Sequence, residues 1–277
     1  MRELYTSMQN ALNTGRNLVL CSVTASSGST PRGEGANMAV YEDGETAGTI
    51  GGGAVEYEAA KTAMEVHSLK ESTMRSYDLS EDQKADLGMI CGGAVTVSFR
   101  FLPADDDDAK AFVEREIEIY NKSLKTCYIF GGGHVSQALV PVISKVNFKS
   151  VVYEDRERFA DLSLFPGADA AILGSFMNIT ERVEITEDDY IVIVTRGHQA
   201  DYEVLEQSLR TPATYIGMIG SRHKFELTRK RLKEAGFNDD DIARIHNPIG
   251  LPILAETPDE IAVSITAELI RHRAERK

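Results

Sequence analysis

Polar turns that combine glycine with charged residues follow several apolar runs in the second half of the sequence. They are Gly131-Gly132-Gly133-His134, Glu154-Asp155-Arg156, Thr195-Arg196-Gly197-His198 and Gly220-Ser221-Arg222-His223-Lys224. The apolar runs indicate parallel strands, and loops at the carboxyl ends of such strands share one crevice at the edge of an open sheet. Most of the charge in these turns is positive, so the sequence predicts that they meet around one anionic ligand.

The first of these turns resembles a dinucleotide fingerprint. Gly131 permits a tight turn, Gly133 lets a phosphate approach the backbone, and Ser136 is small enough for close helix packing. The helix N-terminus would supply free N–H groups and a partial positive charge. Glu154, at the end of the next strand, is placed to hold a ribose hydroxyl. The pattern favours a nucleotide or pterin phosphate, although three glycines can also form only a tight connection.

Two further turns offer cationic groups to the same ligand. Arg196 could bind phosphate or carboxylate with two hydrogen bonds, and His198 could donate a hydrogen bond or transfer a proton. The alternative for them is a surface salt bridge and an ordinary loop histidine. Ser221, Arg222 and Lys224 begin another predicted helix, where side chains and amides could share an anion. The convergence of the loops favours the anion site more than any one residue does.

The first half contains two more glycine-rich segments. Gly51-Gly52-Gly53 opens a predicted helix and can form an anion-binding concavity. Glu56, in the first turn of that helix, either caps it or coordinates a ligand. Arg32 lies on the other glycine loop, which spans residues 26–35. Both segments are candidates for contact with an anion.

The three cysteines are far apart and form no CxxC pair, so neither a zinc site nor a disulfide framework is predicted. Cys91 stands beside Gly92-Gly93, where an exposed thiol could meet a soft ligand such as molybdenum or serve in sulfur transfer. The alternative is that Cys91 is a small buried apolar residue. Cys21 and Cys127 lie inside apolar strands and are predicted to be structural. Reduced thiols in the cytoplasm are the default expectation.

Composition limits the partners of this chain. The 277 residues carry a net charge of −13, which argues against nucleic acid and against anionic membrane surfaces. The N-terminus has no signal-peptide pattern, and no apolar run approaches the length of a membrane span. Apolar content of 42% is ordinary for a globular protein.

Alternating predicted strands and helices position the turns. Residues 125–153 follow the order strand, glycine turn, helix and strand of a βαβ unit, and the alternation continues to a helix that starts at Thr257-Pro258-Asp259-Glu260. This predicts an α/β, Rossmann-like domain with a doubly wound parallel sheet. Residues 103–108 (PADDDD) mark the domain boundary. We therefore predict an N-terminal domain over residues 1–103, a linker helix over 104–123 that bridges the two parts, and the Rossmann-like domain over 124–277.

Several motifs in order resemble the XdhC/CoxI family, the accessory proteins of xanthine dehydrogenase and related molybdenum hydroxylases. In the first half they are GSTPRG (residues 28–33), GTIGGG (48–53) with Glu56, and GMICGG (88–93). In the second half they are IFGGGHVSQAL (129–139), YEDR (153–156), VTRGH (194–198), IGMIGSRHK (216–224), RIHNPIGL (244–251) and ETPDEIAVSI (256–265). The resemblance covers nearly the whole chain. One departure is Leu254, where the family usually has glycine.

The resemblance implies a smaller α+β XdhC/CoxI domain, a Rossmann domain and a homodimer. It implies that the protein binds molybdopterin as molybdenum cofactor, protects it, supports its sulfuration by a cysteine desulfurase and delivers it to the hydroxylase. A maturation chaperone is therefore favoured over a stand-alone enzyme, and no catalytic residue is assigned. The residues predicted to bind the cofactor are those named in the turns and glycine segments above, and Cys91 is predicted to neighbour the molybdenum.

Two other interpretations stay open at this point. The first is an NAD(P)-dependent oxidoreductase that uses Gly131, Gly133 and Glu154, with His134 or His198 as the acid–base group. It lacks a clear catalytic pair for hydride chemistry. The second is a purely structural partner protein, which would leave the cationic turns unexplained.

Overall fold

The computed structural model describes residues 1–28, 32–78 and 93–276. The chain divides into two units, Met1–Ser123 and Leu124–Lys277. Cys91 and its neighbouring motif, like residues 29–31 of the first glycine loop, lie outside the described residues. Within the ranges that are described, no helix has the length and apolar character needed to cross a membrane.

The first unit is built on a five-stranded antiparallel sheet with the strand order β3-β2-β1-β5-β4. Its strands and helices along the chain are α1 (Arg2–Asn13), β1 (Leu18–Gly28), β2 (Asn37–Tyr41), β3 (Thr46–Gly48), α2 (Gly53–Leu69), β4 (Thr73–Asp78), β5 (Gly93–Leu102) and α3 (Asp107–Ser123). This is the smaller α+β domain that the sequence predicted.

Alternation along β1 produces two apolar layers in this unit. Leu18 and Leu20 face one side of the sheet and pack in a core with α1 and α3. Val19, Cys21 and Val23 face the other side and pack with α2, because successive side chains of a strand point to opposite faces. Helix α3 covers the segment predicted as a linker, and its buried residues Ala109 and Val113 belong to the core that it shares with α1.

The second unit contains a six-stranded sheet in which every pairing is parallel. Its elements along the chain are β6 (Lys125–Phe130), α4 (His134–Lys145), β7 (Phe148–Glu154), β8 (Ala170–Leu173), β9 (Tyr190–Ile193), α5 (His198–Leu209), β10 (Tyr215–Met218), α6 (Arg222–Glu234), α7 (Asp239–Ala243), β11 (Ile245–His246) and α8 (Pro258–Glu275).

The strand order of this sheet is β8-β7-β6-β9-β10-β11. With β6 counted as the first strand, it is the 3-2-1-4-5-6 order of a Rossmann fold, and the direction of winding reverses between β6 and β9. Both faces are covered, since Tyr190 and Val192 of β9 pack in the core of α4 and α8, whereas Ile191 and Ile193 pack in that of α5. The predicted doubly wound sheet is confirmed.

Two of the three cysteines are buried inside these sheets, as predicted. Cys21 lies in β1 and Cys127 in β6. Burial raises the pKa of the Cys21 thiol to about 12 and also raises the pKa of Cys127. A thiol that stays protonated is a poor nucleophile and a poor metal ligand, so these two residues serve packing.

Helix α8 begins at the predicted signal. The Thr257 hydroxyl accepts a hydrogen bond from the Glu260 amide, the Glu260 carboxylate accepts one from the Thr257 amide, and Pro258 occupies the first helical position. Just before this cap, Leu254 has a φ of +60°. A left-handed backbone explains why glycine suits this position in the family that the motifs resemble.

We expect Leu254→Gly to raise the free energy of unfolding by about 0.5–1 kcal/mol, because relief of left-handed strain exceeds the added chain entropy of glycine. The Leu254 side chain is 94% exposed, so its removal forfeits little packing. Urea denaturation followed by circular dichroism measures the change. Ile253→Gly is the control, because Ile253 is not among the residues with positive φ and glycine there should lower stability. Equal effects of the two substitutions would contradict the explanation.

Candidate functional site

Three loops of the second unit contact one another at the carboxyl edge of its sheet, where the winding reverses. The Gly131 amide after β6 donates to the carbonyl of Tyr153 in β7 at 2.8 Å. The Gly132 amide donates to the Glu154 carboxylate at 2.7 Å. On the other side, a Cβ placed on Gly131 would lie 2.4 Å from the Val194 carbonyl oxygen after β9. The turns after β6, β7 and β9 are therefore brought together.

The three consecutive glycines have different surroundings. Gly131 has a φ of +111° and touches Val194, while a Cβ on Gly132 would lie 2.2 Å from the Phe159 carbonyl oxygen. Gly133 caps α4 with a φ of −77°, and a Cβ there would meet nothing within 4 Å. Buried Ser136 donates its hydroxyl to the Gly131 carbonyl. The first two glycines permit close packing of the loops, and the third leaves open space before the N-terminus of α4.

Glu154 is part of the scaffold of this turn. Its side chain is 1% exposed and accepts hydrogen bonds from the Arg156 guanidinium at 2.8 and 2.9 Å, in addition to the Gly132 amide. Burial alone would raise its pKa, but these hydrogen bonds lower the pKa to about 2. The carboxylate thus stays ionised and engaged with the loop. This differs from the ribose contact that its position predicted, because a ribose would have to replace these donors.

Arg196 is paired with Asp155 across the crevice. Its Nη1 and Nη2 donate to the two carboxylate oxygens of Asp155, both at 3.1 Å. Burial and the neighbouring Glu154 raise the pKa of Asp155, against the opposite effect of Arg196. The excess positive charge expected of these turns is therefore offset, since Arg196 is balanced by Asp155 and Arg156 by Glu154. An anion would bind Arg196 by replacing Asp155.

A second carboxylate, missed in the sequence, holds the loop after β9. Asp201 is buried in the first turn of α5 and accepts hydrogen bonds from the Thr195 amide at 3.1 Å and the Thr195 hydroxyl at 2.6 Å. Burial raises the pKa of Asp201, and the hydrogen bonds from Thr195 oppose that rise. The signal that could have revealed it is an acidic residue in the first turn of a helix directly after a strand. His198 starts this helix and is exposed, as is His134 at the start of α4.

The loop after β10 lies next along the same edge of the sheet. Ser221 caps α6 by accepting from the Lys224 amide at 3.4 Å, and the side chains of Arg222 and Lys224 are exposed. Beyond it, Asn247 donates from Nδ2 to the Met218 carbonyl at 2.9 Å. The buried Oδ1 of Asn247, which sequence reasoning did not single out, has no hydrogen-bond donor among the described residues.

In the first unit, the glycine segment is occupied by a side chain of its own helix. The Thr49 hydroxyl and the amides of Ile50 and Gly52 donate to one oxygen of Glu56, at 2.5, 3.1 and 3.0 Å. Burial acts to raise the pKa of Glu56, but these hydrogen bonds lower it overall. Of the two roles left open by the sequence, Glu56 performs the cap. The amides of Gly51-Gly52-Gly53 that could meet an anion are in part committed to it.

The remaining predicted positions of the first unit are less informative. Arg32 is exposed, and Cys91 lies outside the described residues. Across the parts of the chain that the structure describes, no group of three or more His, Cys, Asp or Glu side chains is arranged to hold a metal ion. The contacts between distant loops that define a site are therefore those of the second unit.

The strand order, the glycine turn and the loops at the reversal point define a Rossmann-type binding domain that follows an antiparallel α+β domain. The sequence model of the XdhC Rossmann domain matches residues 127–269, and that of the XdhC and CoxI family matches residues 11–78. The chain belongs to the XdhC/CoxI family, which confirms the resemblance carried by its motifs.

Curated relatives place the chain among bacterial proteins. It is 29% identical over 253 residues to protein YqeB of Escherichia coli K12, covering 91% of this chain and 43% of YqeB. It is 30% identical over 178 residues to a probable xanthine dehydrogenase component of Bacillus subtilis 168, covering 64% and 50% of the two chains. This chain thus spans about half the length of these two relatives.

Two further comparisons extend over nearly the whole chain. The molybdenum cofactor insertion chaperone PaoD of Escherichia coli K12 is 22% identical over 290 aligned positions, covering 94% of this chain and 84% of PaoD. A crystal structure of a xanthine dehydrogenase from Bacillus halodurans superposes with a TM-score of 0.83 at 23% identity, covering 99% and 97% of the two chains. That structure shares the fold of this protein.

Proposed function

We propose that this chain is an accessory protein that binds molybdenum cofactor, supports its sulfuration by a cysteine desulfurase and delivers it to a xanthine dehydrogenase-type molybdenum hydroxylase. The family and the name of the relative PaoD support this role. We further propose that it acts as a homodimer in the cytoplasm. The observation that carries the proposal is the open space before Gly133 at a helix N-terminus, beside the loop that bears Arg196.

The residues at this edge suit a phosphorylated pterin. The amides at the N-terminus of α4 can hold a phosphate, since a helix N-terminus has unpaired N–H groups and a partial positive charge. Arg196 offers two parallel donors, the geometry that phosphate oxygens accept. The exposed side chains of His134 and His198 start neighbouring helices at this edge and are available to polar groups of the pterin.

Asp155 sets the electrostatic condition for binding. The Arg196 side chain is 51% exposed, and an ion pair in such a setting contributes about 0–1 kcal/mol. Hydrogen bonds between a guanidinium and a phosphate in a desolvated site contribute about 1.5–3 kcal/mol. Exchange of Asp155 for a phosphate is therefore favourable once the rest of the ligand is held by the neighbouring loops.

Binding of two cofactors to the purified protein tests the proposal. The protein is incubated with molybdenum cofactor or, separately, with NAD(P)H, and then passed through a gel-filtration column. Pterin fluorescence that elutes with the protein is the expected result. Retention of only the nicotinamide would overturn the proposal in favour of an oxidoreductase. The hydrogen bonds of Glu154 argue against that outcome, because they occupy the carboxylate that would hold a ribose.

Substitutions of the Arg196–Asp155 pair should change the affinity for molybdopterin in opposite directions. Arg196→Ala is expected to weaken binding by about 10- to 100-fold through loss of the phosphate contact. Asp155→Asn is expected to strengthen binding by up to about 5-fold, because it removes the competing carboxylate. Fluorescence titration measures both. Arg210→Ala, which removes an exposed cation paired with Glu206 at the other end of α5, is the matched control. Shifts of the same sign for both variants would refute this account of the crevice.

A further inference from the structure

The last helix exposes an apolar stripe that its own unit leaves uncovered. One face of α8 is anchored in the core through Ala262, Ile265 and Leu269. On the opposite face Val263 is 52% exposed and Ile270 is 38% exposed. They belong to a row spaced by four, three and four residues, which places its members on one side of a helix. The row consists of Val263, Ala267, Ile270 and Ala274.

The spacing of this row is that of a seam between two paired helices. Alternating steps of four and three residues bring apolar side chains repeatedly to the same line, where they interlock with those of a facing helix. Ala267, in the middle, is small and allows two backbones to approach closely. The anchored face already accounts for the attachment of α8 to its own unit. The exposed row therefore has no evident role in holding α8 in place.

The charges on α8 specify which helix fits. Asp259 and Glu260 occupy its first turn, and His272 and Arg273 its last, with Arg276 directly beyond. In an antiparallel pair of identical helices, the acidic start of one lies against the basic end of the other, and a twofold axis makes both ends complementary at once. A parallel pair would place like charges side by side.

We infer that α8 is a homodimer contact in which the helix pairs antiparallel with α8 of a second copy of this chain. Ala267 lies near the twofold axis, and Val263 of each copy packs against Ile270 of the other. The inference goes beyond the proposed function, since none of the residues proposed to bind the cofactor lies on α8. It assigns a face to the homodimer and makes that face independent of the crevice.

The mass of the protein in solution tests this contact. Light scattering coupled to gel filtration, at micromolar concentration, should give about twice the chain mass of 30.5 kDa. Ile270→Asp should weaken dimerisation by at least about 30-fold, because it places unpaired charge in the seam. Leu227→Asp is the control, since Leu227 is a comparably exposed apolar residue, 61% exposed, on α6. Circular dichroism verifies that both variants remain folded.

A cysteine placed on the axis gives a second, position-specific readout. Ala267→Cys should form a disulfide between two copies on mild oxidation, above the level seen for the wild type and for Leu227→Cys. A monomeric wild type, an unaltered dimer in Ile270→Asp, or no excess crosslinking of Ala267→Cys would each overturn the inference. Pterin retention by the Ile270→Asp variant is measured alongside, so that failure of the dimer contact and failure of cofactor binding are told apart.

Discussion

Gly131→Ala is expected to lower the stability of the second unit by about 2–5 kcal/mol, the sum of left-handed backbone strain and overpacking. The φ of Gly131 is +111°, and the added Cβ would lie 2.4 Å from the carbonyl oxygen of Val194 and 2.9 Å from the Cα of Thr195. These are backbone atoms, so relief would require the loop after β9 to move away from β6. Hydrogen exchange of peptides from residues 124–276, read by mass spectrometry, measures the change for this unit alone.

The matched control lies two residues further along the same turn. Gly133 has an ordinary φ of −77° and open space around its Cβ position, so Gly133→Ala should cost less than about 1 kcal/mol. Gly133→Val should likewise remain folded, but its side chain would fill the space proposed for a phosphate and weaken ligand binding. Equal losses of stability at Gly131 and Gly133 would show that close contact with Val194 is not what requires glycine.

Glu154→Gln is expected to lower the stability of the same unit by about 3 kcal/mol, the order given by a pKa shift from 4.5 to about 2. The variant keeps the shape of the side chain but loses the charge that faces Arg156, and it turns an amide N–H towards the donors of the loop. Hydrogen exchange of the second unit again measures the effect. Glu275→Gln, an exposed partner of Arg271, should change stability by less than about 1 kcal/mol.

The acid dependence of stability provides an independent check on Glu154. Because the folded state lowers the pKa of this group, its contribution is complete above pH 4.5, the unfolded pKa, and is lost as the pH falls towards 2. The wild type should therefore lose more stability across this interval than Glu154→Gln does. The pKa of Asp155 is raised, so the comparison uses the difference between the two proteins. Identical slopes would mean that Glu154 is not the stabilising carboxylate.

Sequence patterns predicted the parallel sheet closely because its strands are continuous apolar runs bounded by glycine or polar turns. The predicted bounds of β6 and β8 agree with the structure, Lys125–Phe130 and Ala170–Leu173. Strand β4 was missed. It lies at the edge of the first sheet and is almost entirely exposed, so its residues TMRSYD show no apolar alternation. The two-residue strand β11 is too short to produce any pattern.

For the candidate site, the sequence predicted which loops meet but not how their side chains pair. Spacing places Glu154, Asp155 and Arg196 at one edge, because strand topology determines where loops lie. It cannot reveal that Glu154 turns inward to Gly132 and Arg156, which leaves Asp155 to meet Arg196. Such choices depend on burial and on competing hydrogen bonds, which are properties of the folded loops.

The pairing of Arg196 with Asp155 has a consequence for discrimination among small anions of the cell. A free phosphate or sulfate ion that displaced the carboxylate would exchange one ionic partner for another and gain little. A large ligand that also fills the space before Gly133 gains contacts that the carboxylate cannot supply. The chain thus carries its own resident counterion, which keeps the guanidinium from being occupied by abundant salts and reserves it for a molecule that the rest of the crevice recognises.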